Sequence, residues 1–192
     1  MPEFKRHKVQ YFIFIILLGW IGMLQPVMAE HAFIIKSVET QLSDEVYHLN
    51  AKIEYRFSDE ALVALKSGVP LLVLMDIEVD KIRGWWFNKT VAELQQGYLL
   101  LYHALSEQFI ISNLNSGTQE NFYTLTNALS ALGNIKHLPL IDSNILEADA
   151  DYKVNVRTRF DIESLPAPMR PIAYISKQWQ LDSNWVSWPL TR

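Results

Sequence analysis

Apolar and polar residues alternate most regularly from Val46 to Phe57. Tyr47, Leu49, Ala51, Ile53, Tyr55 and Phe57 interleave with His48, Asn50, Lys52, Glu54 and Arg56. A period of two over that length predicts a strand with one buried and one wet face. Tyr152 to Ile162 repeats the pattern, with Lys153, Asn155, Arg157, Arg159 and Asp161 on its polar side. Leu71 to Ile82 differs. Val73, Met75, Ile77 and Val79 stay apolar, while the other side changes from Leu72 and Leu74 to Asp76, Glu78 and Asp80. One face of that strand is covered throughout and the other leaves the core halfway. Phe33 to Thr40, Gly97 to Leu105, Gln108 to Asn113 and Ile135 to Ile141 read as further strands.

Helical spacing occurs twice. Ser58 caps a short helix from Asp59 to Ser67, with acids in its first turn, Lys66 near its end, and Gly68 before Pro70 as the stop. Phe122, Leu125, Ala128, Leu129 and Leu132 share one face of a second helix, from about Thr118 to Leu132, which Gly133 ends. Both Ala-Leu helices precede a proline-led strand, as a short duplicated β-β-α-β unit would. The pattern predicts a mainly β protein, a two-layer β-sandwich with two short helices. A single antiparallel sheet with both helices on one face is the alternative.

The N-terminus changes the picture of where this domain works. Lys5, Arg6, His7 and Lys8 precede an apolar run from Tyr11 to Leu24, and Val27-Met28-Ala29 follows Gln25-Pro26. This is the layout of a secretory signal peptide over residues 1–29, with cleavage between Ala29 and Glu30 and a single soluble domain over 30–192. An uncleaved helix anchoring the chain in the inner membrane is the alternative, and the only membrane contact expected. The chain has no cysteine, which excludes disulfides, thiolate metal sites, thiol catalysis and a lipoprotein anchor. The chain carries a formal charge of −4. Losing Lys5, Arg6 and Lys8 against Glu3 makes the mature part more acidic still, which excludes a nucleic-acid partner.

Candidate chemistry is sparse. Asp76, Glu78 and Asp80 share one strand face, about 6.5–7 Å apart, a spacing that a general acid and base could use. Their structural reading is a wet face ion-paired to Lys153, Arg157 and Arg159, whose loss would cost little stability. The acidic residues of 142–151 lack the glycine and third oxygen ligand of a calcium loop. His31, His48, His103 and His137 are scattered without ligand spacing, so neither a metal nor a cofactor is expected. Arg83, Trp85 and Trp86 form the candidate binding site: in an extended segment the two indoles point to opposite faces, and one is left for a partner unless the aromatic tail covers it.

The chain resembles an uncharacterised family of exported bacterial proteins, a DUF4390-like domain of unknown function. The resemblance rests on Glu60-Ala61-Leu62, Gly68-Val69-Pro70-Leu71, Arg83-Gly84-Trp85-Trp86, Leu101-Tyr102-His103-Ala104-Leu105 and Leu165-Pro166-Ala167-Pro168, with Trp179 and Trp185 near the end. It spans nearly the whole mature chain and carries over no active site. Its members are often encoded near a membrane sensor kinase, which implies an envelope sensing or adaptor role. The expected function is therefore a non-enzymatic periplasmic binding or adaptor module whose partner is an envelope or membrane protein. A hydrolase of envelope polymer using the strand carboxylates, and a carrier of small ligands or lipids between the sheets, are the alternatives.

Overall fold

Burial follows the alternation closely. The computed structural model describes residues 32–84 and 87–190, so the expected signal segment with Ala29 and Glu30, and both Trp85 and Trp86, lie outside the described residues. Strands β1 (Phe33–Ser43) and β2 (Val46–Tyr55) form a hairpin, followed by helix α1 (Asp59–Lys66) and strand β3 (Leu71–Lys81). Strands β4 (Lys89–His103), β5 (Gln108–Asn113) and β6 (Gln119–Phe122) meander to helix α2 (Leu125–Leu132). Strands β7 (Asn134–Asp142) and β8 (Tyr152–Phe160), helix α3 (Arg170–Ile175) and strand β9 (Val186–Pro189) complete the described chain.

The strands make two antiparallel sheets, one ordered β1-β2-β7 and the other β6-β5-β4-β3-β8-β9. Their apolar faces form one core, with Phe33, Val38, Tyr47 and Leu49 from the smaller sheet and Val73, Met75, Ile77, Leu100 and Val156 from the larger. The β-sandwich is thus the architecture adopted, because each alternating strand needs the cover that the opposite sheet supplies. Tyr55 joins the layers. Its ring meets Phe33 edge-on at 4.9 Å, and its hydroxyl lies 3.3 Å from Thr158 Oγ1 of β8.

The first helix is as expected: Ser58 Oγ accepts the Ala61 N–H at 3.2 Å, and Gly68 takes a left-handed φ of 88° past the end. The second is shorter than its periodicity suggests. Residues Gln119–Phe122 are strand β6, laid on the edge of β5 with Phe122 opposite Phe109. The helix begins only where Thr124 caps Leu125. The free ladder edge of β5 wins over a helical pattern that Phe122 happens to continue. A third helix, α3, was not foreseen in a tail of proline and aromatics. Strand β4 also starts at Lys89 rather than Gly97, since residues 89–96 are held by pairing with Met75–Lys81 of β3. The suspected duplication does not extend to topology. The α1 segment carries the chain from the small sheet to the large one and α2 carries it back; β7 pairs directly with the β1-β2 hairpin, while β4 separates β3 from the β5-β6 hairpin.

Candidate functional site

Three connections gather at one end of the sandwich. The β1-β2 turn places Asp44 and Glu45 at φ 51° and 64°. The second connection, residues 82–88, joins β3 to β4, and the third, 143–151, joins β7 to β8. They are tied together. Ser143 N–H donates to Glu45 O at 2.7 Å, Ile82 N–H donates to Asp151 O at 2.8 Å, and Lys81 pairs with Glu147. The hydrogen bond and charge of Lys81 hold the Glu147 carboxyl below its usual range, against burial and with help from Lys89 and Arg83. Glu147 N–H donates to Tyr152 Oη at 3.0 Å, which fixes the third connection to the start of β8. Beneath them is a cavity of about 670 Å³ lined by Tyr47, Ile82, Leu146, Asp149, Tyr152 and Leu190.

Arg83 is exposed in the β3-β4 connection, where its backbone N–H lies 3.5 Å from Asn88 Oδ1. Strand β3 ends at Lys81 and β4 begins at Lys89, so Arg83 stands between them. Phe87, next to the tryptophan pair in sequence, is 96% exposed, and Ile82 on the other side of the connection is also exposed. A phenylalanine this exposed forfeits roughly 1.5–3 kcal/mol of burial. Sequence reasoning named the tryptophans here and passed over Phe87.

The carboxylates of β3 occupy a second place, the outer face of the large sheet. Asp76 stands opposite Arg157 in the ladder, as the structural reading of the sequence has it. Its carboxylate accepts from Gln95 Nε2 at 2.7 Å, Arg159 Nε at 3.0 Å and Arg157 Nη2 at 3.1 Å. Burial pushes this carboxyl up, but those three donors and the Arg159 charge outweigh it and hold it below the usual range. Asp80 departs from the expectation of a wet face. Only 8% exposed, it accepts from Thr90 Oγ1 and Asn155 Nδ2, both at 2.8 Å, while Lys153 Nζ stands 3.8 Å away. Ser187 Oγ in turn donates to Asn155 Oδ1 at 2.6 Å. Register alone supplies Thr90 and Asn155, so alternation could not reveal that burial.

Glu78 faces Glu93 across the β3-β4 ladder. Burial and the negative charges of Asp80, Glu93 and Asp76 raise its carboxyl above the ordinary range, with Arg157 opposing. Trp185, a tail residue, covers the Arg157 guanidinium at 4.8 Å from its ring centroid. Arg157 Nε is buried beneath it without a hydrogen-bond partner among the described residues. Asp76 and Asp80 are both occupied by donors and belong to one hydrogen-bonded ion network on this face.

Among the described residues no group of three histidines or carboxylates is arranged to hold a metal ion. His103 takes part in the β4-β5 turn, its Nδ1 3.0 Å from Ser106 Oγ. His48 and His137, distant in sequence, stack with ring centroids 3.8 Å apart. A further cavity of about 470 Å³ is lined by Tyr98 and Ile111 of the large sheet and by Ile135, Leu138 and Pro139 of the small one. No helix among the described residues is long and apolar enough to cross a membrane.

A family described as a domain of unknown function (DUF4390) matches residues 30–189. No curated protein and no solved structure matches the chain.

Proposed function

The chain belongs to the DUF4390 family, and from the loop end of its sandwich we propose that it is a non-enzymatic binding or adaptor module of the bacterial cell envelope. The observation that carries this reading is the exposed Phe87 beside Ile82 and Arg83, on a connection whose two flanking strands are anchored in the centre of the large sheet. Loops gathered at one end of a sandwich combine a rigid scaffold with variable contacts. Aromatic and arginine side chains are the ones that dominate binding energy at interfaces. Arg83, Trp85 and Trp86 are the proposed contact residues, with Phe87 added. The partner is an envelope or membrane protein, met after export, and the link to membrane sensing follows from the family resemblance.

A photoreactive residue at position 87, introduced into the full chain in living cells, tests this. One discrete crosslinked protein species is expected, diminished when Arg83 is replaced by Ser. If position 87 yields no adduct while a position on the outer face of the large sheet does, the loop end is not the binding surface.

A further inference from the structure

Away from the loop end, at the end where α1 and α3 lie, the surface opens into an apolar groove. Its cavity of about 640 Å³ is lined by Val63, Ala64, Val69, Met169 and Trp179, with Asp59 and Glu60 at its rim. Trp179 is its buried floor, packed on Phe160 at 5.6 Å. The apolar surface does not stop at the groove. Val63 is 65% exposed, and Ile172 and Ile175, spaced at i and i+3 on α3, are 65% and 83% exposed. Met169, which lines the groove, lies three residues before Ile172, so the exposed side of α3 begins at the groove's edge. Scattered apolar residues are normal on a protein surface, but a contiguous row over a groove marks an interaction site. Asp59 and Glu60, in the first turn of α1, place two carboxylates at the rim above an apolar floor.

We propose that this groove receives an amphipathic helical segment of another protein, apolar on the face that meets Val63, Met169 and Ile172 and lysine- or arginine-bearing on the flank that meets Asp59 and Glu60. An apolar row spaced by three to four residues is the complement of the i, i+3 row on α3 and the groove beside it. The acidic rim selects a basic flank and opposes an acidic one or an anionic lipid surface. The surface is separate from the Arg83 connection, so the two contacts can be made by one partner or by two.

Protein purified from cells expressing the full chain would be titrated with a synthetic leucine–lysine helical peptide and with its leucine–glutamate counterpart, by calorimetry and by amide NMR. The expected result is binding of the basic peptide at least ~10-fold tighter than the acidic one, with shifts at Val63, Ala64, Met169 and Ile172. Val63→Asp and Ile172→Asp, at exposed positions, should each weaken it by ~10-fold or more with the circular dichroism unchanged. Asp59→Asn with Glu60→Gln should flatten the salt dependence. Equal affinity for both peptides, shifts confined to other surfaces, or indifference to Val63→Asp would overturn the proposal. So would a dimer that Val63→Asp dissolves, which would assign the face to a second copy. Crosslinking at position 87 reads the loop end separately, so either proposal can fail without the other.

Discussion

A single carboxylate, Asp76, shows how much one residue organises. Its three donors come from two neighbouring strands, so it sets register as well as charge. Because the folded carboxyl lies below its ordinary range, the stabilisation is present at neutral pH and is lost as pH falls below the usual carboxylate range and through the folded value. Asp76→Asn should therefore destabilise by about 1.5–3 kcal/mol at pH 7, with the gap to wild type closing in acid; urea titrations at pH 7 and pH 3 read both. The neighbouring residue has the opposite sign. Glu78 binds its proton more tightly when folded, so its contribution is favourable in acid and is lost as pH rises through the raised folded value. Glu78→Gln removes a like-charge pair with Glu93 and should stabilise by roughly 0.2–1 kcal/mol at pH 7, with no gain near pH 3. If Glu78→Gln were as costly as Asp76→Asn, a partner for Glu78 would have to exist.

At the scale of elements, alternation carried the reading where a strand has one dry and one wet face. That is why β2, β3 and β8 were legible with nearly correct limits, and why Ser58 announced α1. It failed where another element decides. Residues 119–122 carry a helix-compatible pattern but lie beside an unfilled strand edge. Residues 89–96 mix Val91, Ala92 and Leu94 with polar residues and show no clean alternation, so their pairing with β3 decides that they are strand. The candidate site was legible in part for the same reason: Arg83 stands out in composition, whereas the exposure of Phe87 depends on where a turn falls. Gly133 is a further case. It looks like an ordinary helix stop, yet a Cβ there would come within 1.9 Å of the Ile53 carbonyl oxygen, because α2 ends hard against β2 and Ile53 N–H donates to Gly133 O at 2.8 Å. Gly133→Ala must push backbone apart and should cost about 1–3 kcal/mol or more, while Gly84→Ala, with open space around it, should stay within roughly 0.5 kcal/mol of wild type. Paired thermal melts distinguish them. Equal, small losses would mean that the α2-β2 junction yields easily.

The whole molecule is polarised. The described chain enters at Ala32, whose carbonyl accepts from Arg56 N–H at 3.0 Å, and Phe33 N–H donates to Asp182 O at 3.1 Å, so the sandwich is closed from its first residues. Strand β1 then runs from that end to the turn at Asp44, which places the Arg83 connection and its companions opposite the point of entry. Export is the premise of an envelope role, and it makes a separate prediction from the sequence alone. The basic start, the apolar run from Tyr11 to Leu24 and the Val27-Met28-Ala29 ending motivate the expectation of processing by a signal peptidase. Intact-mass analysis of protein from the extracytoplasmic fraction should show Glu30 as the first residue. A product that keeps Met1 and remains with the membrane would make the domain a tethered one. A product that keeps Met1 in the cytoplasm would remove the envelope from the proposed function while leaving the crosslinking test at position 87 to stand or fall by itself.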